Sequence, residues 1–313
     1  MTSDVTPQEP VPVRHGPSQA GTEFLVLRHQ QLKPGTHDTY LKASQDGVWP
    51  FYEKLGNRNV GQWQVVYPQG GKPAGDDEGY RIARYRSFNH WAATRRAVEL
   101  GGNGPDWDAA REALEIRRSV TTGSDGPIYL EGDMAPSVPY YFPPLEESYR
   151  RTEGEASVHP VRHGRYNPGQ EIITLRRFRI KKGTFGEVRS LSEDGVWPYF
   201  EKMGARIVGQ WLRVYPLPGE VEGLEQGDLP AEDPSYDEAY MMVRYVSYEH
   251  WQATRGPVMV KLGGDGPAYD ACVEALRRRG DLTLESSVRF LQGHWRGNPP
   301  IYSPGLDENY ELE

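Results

Sequence analysis

Hydrophobic and polar positions alternate along several short stretches in the first half of the chain. Alternation places every second side chain on one face, which is typical of a half-buried strand. Short apolar runs bounded by polar residues add two further strands. The pattern predicts strands at 24–30, 60–67, 78–86 and 128–131.

Helical spacing of apolar positions lies between these strands. Residues 36–56 predict a first helix with a kink at Trp49-Pro50, because proline cannot donate to the preceding turn. Ser87 is a suitable N-cap for a second helix, and Pro105 can begin a further helical segment. The predicted order is therefore β-α-β-β-α-β.

The same pattern occurs again later in the chain. The motifs VRHG, DGVWP and VGQW recur at a spacing of 148 residues, and DExY, RYxS and HWxATR recur at 160. Two copies, 11–149 and 159–310, cover nearly the whole chain, and the polar residues 150–158 link them. This arrangement indicates a domain duplication rather than a short-period repeat array.

A β-α-β-β-α-β unit is the ferredoxin-like, split βαβ arrangement, with helices on one face of a four-stranded sheet. The bare face needs a cover, and a second copy of the same unit can supply it. The sequence therefore predicts an α+β protein in which tandem ferredoxin-like repeats form one α/β barrel.

Composition excludes several classes of protein. The formal net charge is −8, which argues against a nucleic-acid-binding surface, and the single cysteine, Cys272, excludes a disulfide framework and a cysteine-rich zinc site. No apolar run approaches the length of a membrane span, and no basic, then apolar, signal segment begins the chain. We expect a cytoplasmic protein with Cys272 in its core. The spacing between equivalent motifs increases from 148 to 160 residues because the second copy has a longer, acidic loop at 219–238. This loop is either a solvated loop or a lid.

The motifs VGQW, DExYxxxRYxS and HWxATR, after a first helix ending in EKxG, resemble the NIPSNAP family of the dimeric α/β-barrel superfamily. The resemblance covers 23–132 and 171–293, and leaves out the VRHG arms, the Tyr/Pro-rich tails and the acidic loop. It implies a barrel fold. Relatives in this superfamily include cofactor-free monooxygenases, polyketide cyclases and haem enzymes such as chlorite dismutase, so the fold alone does not select a reaction.

Polar residues present in both copies are the candidates for chemistry. A histidine in a helix first turn could move a proton, a neighbouring glutamate could assist it, and arginines could hold an anionic oxygen. The expected catalytic residues are His90, His250, Glu78 and Glu238. The expected substrate-binding residues are Arg84, Arg244, Arg95, Arg255, Trp63, Trp211, Tyr85 and Tyr245. The alternative is that the glutamates and arginines are structural ion pairs and the tryptophans are core.

These residues favour a small-molecule enzyme acting on a hydrophobic, aromatic or carboxylate-bearing substrate, in a biosynthetic type of reaction. The chemistry expected is acid–base or cofactor-independent oxidation, with no cofactor and no metal site. One alternative is a non-catalytic ligand-binding or scaffold protein. Another is a haem enzyme, for which His250 and His294 are candidate ligands. The arms and tails are candidate contacts in a homo-oligomer, and no nucleic-acid or membrane partner is expected.

Overall fold

The computed structural model describes residues 24–85, 88–134, 148–149, 164–165, 172–216, 230–245 and 247–295. The VRHG motif of the first arm, most of the tails and residues 219–229 of the acidic loop lie outside this description. The first half contains strands β1 to β5 and helices α1 to α5. In chain order these are β1 Phe24–Leu32, α1 His37–Ala43, α2 Trp49–Lys54, β2 Arg58–Val66, β3 Asp77–Tyr85, α3 Phe88–Thr94, α4 Ala97–Gly101, α5 Pro105–Val120, β4 Thr121–Ser124 and β5 Ile128–Met134.

The second half repeats this order. It consists of β8 Ile172–Lys181, α6 Phe185–Leu191, α7 Trp197–Lys202, β9 Arg206–Val214, β10 Tyr236–Tyr245, α8 Tyr248–Ala253, α9 Val260–Gly263, α10 Pro267–Leu282 and β11 Thr283–Trp295. Between the halves, β6 Ser148–Tyr149 pairs with β7 Gly164–Arg165. No helix among these described segments is long and apolar enough to cross a membrane.

Eight strands close into an antiparallel barrel. Within each half the strands lie in the same spatial order, β2-β3-β1-β5 in the first and β9-β10-β8-β11 in the second. The halves join at two seams, because β11 pairs with β2 and β5 pairs with β9. The expected α/β barrel is thus present, and its halves hydrogen-bond edge to edge as well as packing together. The short strand β4 was not predicted.

The barrel interior is filled by side chains from all eight strands. Trp63 and Trp211 are fully buried there, among leucines, isoleucines and a methionine from both halves. Separate apolar clusters lie outside the barrel, between its outer strand faces and the helices. Cys272 is fully buried in one of these outer clusters, as expected from the sequence, and burial raises the pKa of its thiol to about 11.

The first helix is interrupted earlier than its proline predicted. Residues Ser44–Val48 form a π-helical turn between α1 and α2, and Ser192–Val196 repeat it in the second half. Gly47 lies so close to α5 that a Cβ there would come within 2.6 Å of the Ala113 Cβ. Gly195 packs against Ala275 of α10 in the same way. The glycine of the repeated DGVWP motif is therefore explained by close packing of this turn on a helix.

Glycines also sit at both seams between the halves. Gly132 of β5 lies opposite Trp211, and Gly293 of β11 lies opposite Trp63. A Cβ on Gly293 would come within 2.3 Å of the Gln62 carbonyl oxygen, and one on Gly132 within 2.7 Å of the Gln210 carbonyl oxygen. Each seam thus depends on a residue without a side chain beside a buried tryptophan.

Candidate functional site

One end of the barrel opens into a cavity of about 620 Å³. Strands of both halves supply its wall, so neither half alone forms it. Its apolar side includes Ile128 and Leu175. Its polar side is made by His29, Tyr80, Asp125, Arg177, Glu238 and Arg289.

His29, on β1, is held between two carboxylates. Its Nε2 lies 2.9 Å from Oε2 of Glu78, and its Nδ1 lies 2.7 Å from Oδ2 of Asp125. The imidazole stacks on Tyr80, with ring centroids 4.6 Å apart. Each ring nitrogen thus has a carboxylate partner, so a proton can pass between the imidazole and either carboxylate.

A tyrosine extends this arrangement behind the histidine. The hydroxyl of Tyr67 donates to Oε1 of Glu78 at 2.8 Å, while Oε2 faces His29. Burial and the hydrogen bond to Glu78 raise the pKa of Tyr67, which therefore stays a donor at neutral pH. Glu78 is fixed at both oxygens. Asp125 is the exposed member, with a side chain that is 64% exposed at the cavity mouth.

The opposite wall contains the counterpart of Glu78. Glu238, on β10, has a side chain only 1% exposed. Arg177 donates to its Oε2, while Arg213 at 2.9 Å and Tyr240 at 2.6 Å donate to Oε1. Burial alone would raise the pKa of Glu238. The hydrogen bonds from Arg177 and Tyr240, together with the charge of Arg213, lower it below the usual range.

Two tyrosines and an exposed arginine complete the polar surface. Burial raises the pKa of Tyr240, reinforced by the charge of Glu238. Burial also raises the pKa of Tyr80, although the nearby Arg289 opposes this. Both phenols therefore remain neutral donors at physiological pH, and Arg289 brings a cation to the same surface.

The structure separates the residues that the sequence grouped together. Glu238 lines the cavity and Glu78 lies directly behind His29, so both expected glutamates belong to this end of the barrel. Arg84 and Arg244 are buried, and each lies six residues further along the same strand. Six residues of strand span about 20 Å. A pair between Glu78 and Arg84 is therefore excluded by distance.

His90 and His250 lie outside the barrel, between a helix and the end of α2 or α7. His90 Nε2 is 2.7 Å from the Leu55 carbonyl, and His250 Nε2 is 2.9 Å from the Met203 carbonyl. Both are buried. Neither lines the barrel cavity. Ser247 is the N-cap of α8, since its hydroxyl accepts from the His250 N–H.

The other expected binding residues are dispersed. Arg95 is exposed over the Trp91 ring, while Arg255 packs over Trp251 and lines a smaller cavity outside the barrel. Tyr85 and Tyr245 are buried on the outer strand face, where Tyr245 also lines that smaller cavity. Trp63 and Trp211 fill the closed part of the barrel, as the core interpretation holds.

Sequence reasoning missed His29, Arg177 and Arg213. His29 and Arg177 occupy equivalent positions in the two halves, so a search for identical residues in both copies discards them. Strand alternation was the available signal, because His29 lies two residues beyond the buried Leu27 on β1 and shares its face.

The cavity residues do not fit an axial ligand for haem iron. Such a ligand needs a ring nitrogen open to the iron, and both nitrogens of His29 face carboxylates. The buried His250 lies away from this cavity, and the side chain of His294 falls outside the described residues. Within the part of the chain that the structure describes, no group of three or more His, Cys, Asp and Glu is arranged to hold a metal ion.

Comparison with known proteins gave matches among solved structures. The chain is similar to a candidate monooxygenase from Fusobacterium nucleatum, with 9% identity and a TM-score of 0.46, over 93% of this chain and 99% of that one. It is similar to a NIPSNAP domain protein from Burkholderia xenovorans, with 15% identity and a TM-score of 0.27, over 42% of this chain and 99% of that one. It is also similar to a mutant chlorite dismutase from Candidatus Nitrospira defluvii, with 9% identity and a TM-score of 0.34, over 88% of this chain and 92% of that one. Neither protein-family models nor curated proteins gave a match.

Proposed function

We propose that this protein is a small-molecule enzyme whose active site is the barrel cavity, and that its chemistry is proton transfer. The observation that carries the proposal is the placement of His29 between Glu78 and Asp125 on the cavity wall. A histidine bonded to carboxylates on both sides is suited to accept a proton and to hold the resulting charge.

The proton is taken at the outer end of this triplet. Asp125 is exposed at the mouth, so a substrate can displace it from Nδ1 or give up a proton to it directly. Glu78, fixed by Tyr67, stabilises the charged imidazole from behind. Asp125 and His29 act on the substrate, and Glu78 and Tyr67 are positioning residues.

The rest of the cavity suits the substrate class expected from the sequence. Its volume lies within the range of about 300–1,000 Å³ typical of small-molecule sites. Leu175 and Ile128 offer apolar contact, while Arg289 and the phenol of Tyr80 can hold a developing oxyanion. We therefore propose an aromatic or other largely apolar substrate that carries a carboxylate or an enolisable carbonyl.

We further propose that residues 11–149 and 159–310 are two copies of one NIPSNAP-like, ferredoxin-like repeat, joined by 150–158. The shared strand order and the recurring motifs support this duplication. The cavity would then have arisen where two equivalent wall positions diverged, one to His29 and the other to Arg177. A cytoplasmic location and a homo-oligomer stay predictions.

The proposal can be tested by deuterium exchange. A panel of hydroxyaromatic acids and aromatic ketones is first screened for raising the melting temperature, and the binders are then incubated in D₂O with the protein. Mass spectrometry follows deuterium incorporation and product formation, and an oxygen electrode follows oxidation. We expect His29→Gln to lower the rate about 100-fold or more, since a positioned proton-transfer group contributes that much. The control is Asp108→Asn, at an exposed position on α5.

Exchange or turnover that survives His29→Gln unchanged in a folded protein would contradict the role of His29. Compounds that bind in the cavity without exchange, oxidation or any other conversion would instead favour the non-catalytic ligand-binding protein.

A further inference from the structure

A second cavity, of about 230 Å³, lies outside the barrel in the second half of the chain. It is bounded by the outer face of β8 and β10 and by α7 and α10. Strand β8 separates the two cavities, since Leu175 and Arg177 face the barrel and Arg176, between them, lines this outer cavity. Its walls are largely apolar, with Phe178, Trp197 and Met241 among them.

Three arginines line this cavity: Arg176, Arg255 and Arg279. Arg279 is only 6% exposed, and its guanidinium lies over the Phe178 ring at 5.4 Å. Arg176 donates to the Ser286 hydroxyl at 2.9 Å, and Arg255 rests on the Trp251 ring. Within the described residues, none of the three is in an ion pair with a carboxylate.

These positive charges act on one another. Burial lowers the pKa of Arg176 to about 10, and the charges of Arg255 and Arg279 add to this effect. Burial also lowers the pKa of Arg279 to about 10, with a further contribution from Arg255. Like charges gathered at a buried cavity are costly unless an anion joins them.

The first half shows how an equivalent group of arginines is accommodated. Arg28 and Arg117 occupy the positions of Arg176 and Arg279, and the Tyr40 hydroxyl is hydrogen-bonded to Arg117. Four tyrosine side chains there raise the pKa of Arg28, of Arg117 or of both. They are Tyr40, Tyr52, Tyr85 and Tyr129.

The second half replaces three of these four phenols by apolar residues. Val188, Phe200 and Phe290 stand where the first half has Tyr40, Tyr52 and Tyr129, and only Tyr245 keeps its hydroxyl. The first-half group also includes Arg81, whose position is taken by Met241 in the second half. The second half therefore keeps Arg176 and Arg279, lacks most of the hydroxyl oxygens that face their counterparts, and has an open volume there. An external ligand can supply the missing oxygens.

We propose that this outer cavity is a second small-molecule site, which takes a small aromatic carboxylate with its carboxylate group against the three arginines. Arg–carboxylate hydrogen bonds are short, strong and frequently bidentate. The size is suitable, because a cavity of about 150 Å³ holds benzene, which leaves room here for a carboxylate as well. The apolar walls favour an aromatic acid over a bare inorganic anion.

The test uses sodium benzoate as the probe and isothermal titration calorimetry on the full chain. We expect benzoate to bind at this outer cavity, and Arg255→Met to weaken that binding at least ten-fold. Arg279→Met should do the same, and the half-exposed Arg255 is the safer position if the buried variant fails to fold. The matched control is Arg95→Met at the equivalent, exposed position of the first half, which should bind as the wild type does. A crystal structure with benzoate should place its carboxylate beside Arg176 and Arg279.

Three results would overturn the proposal. They are no benzoate binding to the wild type, binding that is equally strong in Arg255→Met and Arg95→Met, or tighter binding of inorganic phosphate than of benzoate. The outcome is independent of the barrel active site, because benzoate held by Arg177 or Arg289 would not respond to Arg255.

Discussion

Replacement of Glu238 by glutamine is expected to lower the free energy of unfolding by about 3 kcal/mol, because it leaves two arginines without their shared carboxylate in a buried site. The Glu238 side chain is 1% exposed and accepts from Arg177, Arg213 and Tyr240. A glutamine amide would turn N–H groups toward at least one of these donors. Urea denaturation followed by tryptophan fluorescence measures the loss.

The matched control is Glu78→Gln in the first half. Its side chain is 24% exposed and faces a histidine and a tyrosine rather than two arginines, so we expect a loss of about 1 kcal/mol. Equal losses in the two variants would contradict the ionic account of Glu238.

The pH dependence follows from the lowered pKa of Glu238. A carboxylate whose folded-state pKa is depressed stabilises the fold above its unfolded pKa, near 4.3, and this contribution is lost as the pH falls through the folded-state value. The difference between wild type and Glu238→Gln should therefore be full at neutral pH and shrink in acid.

Substitution of Gly293 by alanine is expected to lower the free energy of unfolding by about 3 kcal/mol or more, because the new methyl group meets backbone atoms that cannot move independently. The Cβ would lie 2.3 Å from the Gln62 carbonyl oxygen and 2.6 Å from the Trp63 Cα. The strands β11 and β2 would have to separate at the seam between the halves. Gly132→Ala should behave alike at the other seam, with added strain because the φ of Gly132 is +143°.

Gly123→Ala provides the control for this substitution. Its Cβ would meet the side-chain amide of Gln31, which can rotate away, so we expect a change of less than about 1 kcal/mol. Full stability of Gly293→Ala would show that the seam tolerates extra volume and that the barrel is less tightly closed than described.

The sequence was sufficient to predict the barrel, because the same motifs occur in both halves of the chain. Repetition of VGQW and HWxATR at fixed spacings gave two equivalent halves, and the bare face of each predicted sheet required the other. The sequence could not predict details that depend on how closely two elements approach each other. The π-helical turn at Ser44–Val48 brings Gly47 against α5, and no local pattern in the sequence records that contact.

The candidate site was predicted only in part, for identifiable reasons. Alternation along β3 places Glu78 and Arg84 on one face, but it gives no position along the barrel axis, and the two residues lie at different depths. Repetition favoured His90 and His250, but each imidazole bonds a carbonyl at the end of a helix, Leu55 after α2 and Met203 after α7. His29 differs between the halves, and a site created by that difference is invisible to a search for what the halves share.

The most direct test of the account is to fill the barrel cavity from its apolar side and to measure binding of the panel compound that raises the melting temperature most. Leu175→Trp adds bulk at a residue that lines the cavity, and Leu284→Trp adds the same side chain at a position that is 57% exposed on β11. By calorimetry, we expect Leu175→Trp to weaken binding about 100-fold while its circular dichroism stays that of the wild type, and Leu284→Trp to bind normally. Unchanged binding by a folded Leu175→Trp variant would show that the barrel cavity is not the site.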